Sequence, residues 1–302
     1  MEQRRPILSL KTGITFLLPA FFFVLLFLIV PFVWVIIISF TDQTLTGASA
    51  QNPQFVGLKN YLDLFDFSTW MTRGNFGSSM LITIEFVIGS AWIGQVVSGL
   101  LLAFVFYRRK GVLREFANTL IILCWIIPEV VVAFSWVAYL DRDFGTLNAI
   151  LSAIGLGRPD WQLGYPLFSI ILFNSWRGTA YSMLLFSSAL ATIPPSYTET
   201  ADVAGASFWQ KLRDIFFPLL RGHILTDMIL ITLWTFNTFT PYLLTGGGPA
   251  YKTELLSIFT YRIAFKFYDF GVGGAVAVVA MLINFVLALV YLLMLRKQAV
   301  YS

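Results

Sequence analysis

Asn174, Gly178 and Tyr181 fall at i, i+4 and i+7, so a helix through them carries all three on one face. Amide and phenol groups exchange hydrogen bonds with hydroxyls. An aromatic face takes up a ring, and a small residue leaves space beside it. That combination suits holding a hydroxyl-rich ring rather than transforming one. Two other apolar stretches add polar and aromatic residues of the same kind: Trp125 and Glu129 in one, Trp234, Phe236 and Asn237 in the other. An aromatic stripe at helical spacing equally serves plain helix packing, and the pattern leaves both readings open.

Covalent and metal chemistry have few candidates. The chain has one cysteine, Cys124, inside an apolar run, and one histidine, His223. A typical metal site built on His and Cys ligands is not expected from that inventory, and a single cysteine forms no internal disulfide. No Ser/His/Asp set can be assembled. No G-x-x-x-x-G-K-[ST] sequence occurs, so ATP is not expected to bind in the usual loop. The run Gly246-Gly247-Gly248-Pro249 follows an apolar stretch and reads as a flexible loop.

The elements that must position these residues are membrane helices. Of 302 residues, 58% are apolar and 12% charged, whereas soluble domains carry about 25% charged residues. A bilayer-crossing helix needs about 20 apolar residues. Six segments qualify: 14–40 with Pro19 and Pro31, 80–107, 113–140 with Pro128 in its middle, 166–193, 223–245 and 271–295. The expected fold is therefore all-α and polytopic, one transmembrane domain over residues 1–302. The first span lacks a small-residue cleavage site and reads as uncleaved.

Basic residues orient the spans. Arg4, Arg5, Lys11, Arg108, Arg109, Lys110, Arg114, Lys211, Arg213, Arg221, Arg296 and Lys297 fall on one side. By the positive-inside rule that side is cytoplasmic, and both termini lie there. The net charge of +4 thus records topology, not nucleic-acid binding. Three ionisable residues fall inside spans: Glu85, Glu129 and Arg177. Such residues face a cavity or a partner. Glu129 and Arg177 are candidates for an internal ion pair, while Glu85 lies near the outer boundary, where snorkelling suffices.

Residues 193–221, IPPSYTETADVAGASFWQKLRDIFFPLLR in sequence, form a polar, helix-prone insert on the cytoplasmic side. Pro194-Pro195 ends the preceding helix. Ser196 and Glu199 stand at the capping-box offset, which predicts a helix over 197–204 that runs into Gly205. A second helix over 208–217 is expected to end at Pro218. Gly205 permits a sharp turn or close approach by a partner. Without further information the insert could simply be an amphipathic helix lying on headgroups.

The insert closely resembles the coupling loop of bacterial ABC-importer permeases, whose signature runs Glu-Ala-Ala, then Gly, then Ile-x-Leu-Pro. Glu199, Ala201, Gly205, Ala206 and Pro218 occupy matching positions. Thr200 replaces the middle residue of the triplet, and Ala204 stands where the family commonly has Asp. The likeness extends along the chain, through LPAFFFVLLFLIVPFVWVIIISFTD, FVGLKNYLDLF, NSWRGTAYSMLLFSSALATIP and LLTGGGPAYKTELLSIFTYRIAFKFYDFG. It falls on the carbohydrate-uptake branch, similar to maltose-type and glycerol-phosphate-type permeases.

The resemblance implies the type I importer permease fold, with six transmembrane helices and a cytoplasmic coupling loop. It implies a plasma-membrane subunit that takes up a sugar or sugar-like solute. Its partners would be a second homologous permease, two ATPase subunits, an extracytoplasmic solute-binding protein and membrane lipid. ATP and Mg would bind the ATPase partners, and this chain would hold no cofactor and catalyse nothing itself. The substrate site carried over is Trp125, Glu129, Asn174, Gly178, Tyr181, Phe236 and Asn237. A self-sufficient secondary transporter is the competing class. It predicts internal symmetry and a coupling-ion site, and the chain shows no repeat. A non-sugar solute such as glycerol phosphate also remains open.

Overall fold

The computed structural model describes residues 10–66 and 68–299. Arg4 and Arg5, expected on the cytoplasmic side, lie outside the described residues. Helices dominate: the described residues form no strand, and two isolated bridges join Thr41 with Phe55 and Thr44 with Asp269. We number the principal helices α1 (Ile14–Ile38), α2 (Phe76–Phe106), α3 (Val112–Ile126), α4 (Glu129–Tyr139), α5 (Pro166–Ala191), α6 (Pro195–Val203), α7 (Phe208–Phe236) and α8 (Phe270–Leu295). They fall into two compact units. One gathers the chain up to Asp66 with Thr260–Met281, and the other the chain from there to Phe259 with the stretch from Leu282 onward.

In the first unit, α1 is apolar all round and buries none of its most apolar stretch. A helix of that kind is made for lipid. It widens into a π turn over Leu25–Ile29 just ahead of Pro31, where a proline ring and a missing N–H disturb the regular ladder. Asn60, on a short helix, closes its far end by donating to Ser39 O at 2.9 Å and Thr41 O at 2.8 Å.

The second unit is built on α2 and α5. A π stretch runs over Val87–Val96, and its Gly89 and Gly94 both face α5, at Ile171 and Ser175. A Cβ at Gly94 would collide with Ser175, and one at Gly99 with Ser182. Small residues of this kind let membrane helices approach backbone to backbone. The core of this unit gathers Phe86, Trp136, Ile170, Phe173 and Leu255.

Among the described residues four helices, α1, α2, α7 and α8, are long and apolar enough to cross a membrane, and α3 with α4 makes a fifth if that bent pair is one span. At 26 residues α5 has the length, but Asn174, Ser175, Arg177, Thr179 and Ser182 make it too polar to qualify alongside them.

Three expectations are corrected. The segment 113–140 is not one straight span: α3 and α4 meet at 105°. Ile127 sits at φ −59, ψ 136 and Pro128 at φ −53, ψ 134; both are extended, and proline disfavours helical geometry in the residue before it, which favours the break at Ile127. The helix over 208–217 does not end at Pro218. It widens into a π turn over Leu212–Phe216 and continues as α7 to Phe236, so the fifth span begins well before residue 223. Finally, Ser196 does not cap α6, whose N-cap is Pro194 with no side-chain bond. The capping box belongs to Ser207 and Gln210 at the start of α7.

Candidate functional site

A cavity of about 1020 Å³ lies inside the second unit. Its walls come from α2, α3, α4, α5, α7 and the segment after α7. The proline break supplies its third-helix wall: the bend places Trp125 and Glu129 on either side of Pro128, and both reach the lining.

Glu129 opens α4. Its Oε1 lies 2.8 Å from Arg177 Nη2, and its Oε2 accepts from Thr240 Oγ1 at 2.5 Å. The two ionisable residues therefore contact each other, and they are the charged residues among the cavity's described lining. Each offsets the other's charge within the cavity wall.

Aromatic rings form a ladder across one wall. Tyr181 packs on Trp125 at 5.7 Å between centroids and on Trp234, edge to face, at 4.8 Å. Gly178, about one turn before Tyr181 on α5, faces the Gln95 carboxamide so closely that a Cβ would collide with it. Asn174 also lines the cavity, and its Nδ2 donates to Ser90 Oγ at 3.0 Å. Asn237 lines it near the end of α7 and exchanges amide hydrogen bonds with Asn284 of α8 at 3.0 and 3.1 Å.

Six of the seven residues expected at this site thus meet around one space. Phe236 does not: it is 5% exposed and absent from the lining, while Trp234, Thr235 and Asn237 are present. A one-residue step on a helix turns a side chain by about 100°, and that step carries Phe236 from the cavity into the buried core. Gln95 and Thr240 belong to the lining and were not foreseen. Gln95 is an amide inside an apolar span, a signal as informative there as a charge. Thr240 lies beyond the end of α7 and gives no comparable signal.

The residues of the polar insert gather at a second place. Its short helix α6 ends in a Schellman motif. Gly205 takes φ +75, its N–H donates to Asp202 O at 3.0 Å, and Ala206 N–H donates to Ala201 O at 2.9 Å. These are the two bonds that satisfy carbonyls at a helix end. The glycine is needed because L side chains are disfavoured in the left-handed region. Lys211 then joins Asp202 at 2.6 Å across the turn. Glu199 points outward, and Val203 is 92% exposed. Pro218 lies farther on, inside the continuous α7.

These elements define a helical membrane protein with a cavity among its helices, lined by aromatic, aliphatic and a few polar side chains, and an exposed helix–turn–helix elbow. The fold matches the crystal structure of a bacterial alginate ABC transporter in complex with alginate pentasaccharide-bound periplasmic protein. The TM-score is 0.78 at 22% identity, over 95% of this chain and 94% of that chain. The chain matches the family described as "Binding-protein-dependent transport system inner membrane component" over residues 95–299, and it belongs to that family. It is 30% identical to the trehalose/maltose transport system permease protein MalF of Thermococcus litoralis, covering 93% of this chain and 92% of that protein. It is 28% identical to the sulfoquinovosyl glycerol transport system permease protein SmoG of Agrobacterium fabrum, covering 95% and 91% respectively.

Proposed function

We propose that this chain is the transmembrane subunit of an ATP-driven importer, and that its solute is a sugar or sugar-like compound delivered by an extracytoplasmic binding protein. The cavity carries the proposal. It joins an aromatic ladder, amides from α2, α5 and the residue that caps α7, and a charge pair that is already neutralised, the equipment for an uncharged, hydroxyl-rich ring. The names of the relatives above support the same solute class.

The working complex would contain a second homologous permease and two ATPase subunits that bind ATP and Mg. Six spans would place both termini and the Glu199–Gly205 elbow in the cytoplasm. ATP binding would draw the ATPase pair together and move α6. Because α7 runs unbroken from the elbow to the cavity wall, that displacement reaches Trp234 and Asn237 through one rigid element. Coupling of this kind needs an element that both sites bias, and α7 has contacts at both ends.

Reconstitution with the ATPase and binding protein tests the reading. Asn174→Ala and Tyr181→Phe should lower solute uptake while the complex still assembles and hydrolyses ATP. Loss of a hydroxyl-bonding amide should weaken solute binding by about 1–3 kcal/mol. Wild-type uptake by both variants would mean that this face of α5 only packs against helices.

A further inference from the structure

The turn from α2 to α3 holds a second, smaller cavity of about 270 Å³, lined by Arg108 and Arg114 together with Phe106, Tyr107, Leu190 and Ile193. Pro195, the first residue of α6, closes one side. No carboxylate is among its described lining residues. Arg114 buries its Nε with no hydrogen-bond partner. Its Nη1 meets Glu115 at 3.3 Å, a neighbour whose side chain is 69% exposed, so one edge of the guanidinium is engaged outward and the other is unmatched. Arg108 holds φ +57, a left-handed conformation uncommon outside glycine, with its guanidinium 5.3 Å from the Tyr107 ring centre.

Two guanidinium groups with an unmet donor call for an anion, and phosphate oxygens fit the guanidinium fork. The space would hold about nine waters, more than one inorganic phosphate fills. Apart from Ser187 and the Tyr107 ring, its other walls are apolar. Beside it Val112 and Leu113 are 86% and 82% exposed, an uncovered apolar pair at the start of a helix that heads into the membrane. Anion chemistry next to apolar surface is the signature of an amphiphile.

We propose that Arg108 and Arg114 form a binding site for the phosphate headgroup of an anionic phospholipid, seated against the first residue of the coupling helix α6. The assignment to the cytoplasmic leaflet rests on the orientation proposed above. Occupancy of the site does not, so the two can fail separately. A lipid held there touches both the α2–α3 turn and α6, and so ties the membrane surface to the element that meets the ATPase.

The test is native mass spectrometry of the full chain released from nanodiscs of phosphatidylcholine with added phosphatidylglycerol. The wild type should retain phosphatidylglycerol selectively. Arg108→Gln with Arg114→Gln should weaken retention about ten- to thirty-fold, the effect of two basic residues at an anionic surface. Arg109→Gln with Lys110→Gln, whose bases lie outside the lining, should retain lipid as the wild type does. Arg114→Lys, which keeps the charge and loses the fork, guards against misfolding of the double variant and should show an intermediate loss. Equal retention in the Arg108/Arg114 variant would overturn the proposal. So would an equal loss in the Arg109/Lys110 variant, which would indicate diffuse charge. Displacement of the lipid by inorganic phosphate alone would assign the site to a free anion and overturn the lipid reading.

Discussion

Arg177 Nη2 lies 2.8 Å from Glu129 Oε1, and the same carboxylate accepts from Thr240 Oγ1. Glu129 is the first residue after the proline break, Arg177 sits in the middle of α5, and Thr240 follows α7. One carboxylate thus joins three elements around the cavity. The Glu129 side chain is 48% exposed and that of Arg177 20%, between a surface pair and a buried one. A double-mutant cycle with Glu129→Gln and Arg177→Gln should give a coupling of about 1–2 kcal/mol, above the surface range and below the cost of breaking a fully buried pair. Thermal unfolding in detergent measures it. Additive effects would mean that the pair does not hold the bend.

Gly178 exists where Gln95 leaves no room for a Cβ. Gly178→Ala should therefore destabilise the α2–α5 contact by about 1–3 kcal/mol through overpacking. Adding Gln95→Ala should recover most of that stability without recovering solute uptake, because Gln95 also lines the cavity. Melting temperature and uptake, measured on the single and double variants, separate the two effects. If Gln95→Ala fails to relieve Gly178→Ala, the close contact is not what excludes a side chain there.

Gly205 and Glu199 should divide along structural lines. Gly205→Ala puts a Cβ on a left-handed residue and should cost about 1–2 kcal/mol locally, since the Schellman bonds from Gly205 and Ala206 depend on that conformation. Gly205→Asn should cost less, because asparagine visits the region more readily. Glu199 is exposed, so Glu199→Lys should leave stability unchanged and uncouple ATP hydrolysis from uptake. Normal uptake by Glu199→Lys would remove this residue from the docking surface.

Orientation is open to chemical labelling. In a Cys124→Ser background, a single cysteine at Lys110 should react from the cytoplasmic side and one at Lys59 from the outside. Labelling of both from outside would dismantle the proposed arrangement of spans.

The sequence by itself determined that this is a helical membrane protein, where most of its helices run, and which polar insert lies between its fourth and fifth apolar segments. Those features depend on local composition and period: a long apolar stretch has few ways to satisfy its backbone in lipid other than as a helix. It also singled out the face of α5 bearing Asn174, Gly178 and Tyr181, because helical spacing is readable along one segment. Only the tertiary structure decided what that face meets. The 105° break at Ile127-Pro128 and the passage of α7 through Pro218 look alike in sequence, as prolines in apolar surroundings. They differ because a π turn absorbs one, while the other directs its predecessor into extended geometry. Gln95 reaches the cavity, and Phe236 turns away from it, through the rotation and close approach of α2, α5 and α7. Those follow from small residues meeting across helices far apart in the chain, a relationship that no single segment carries.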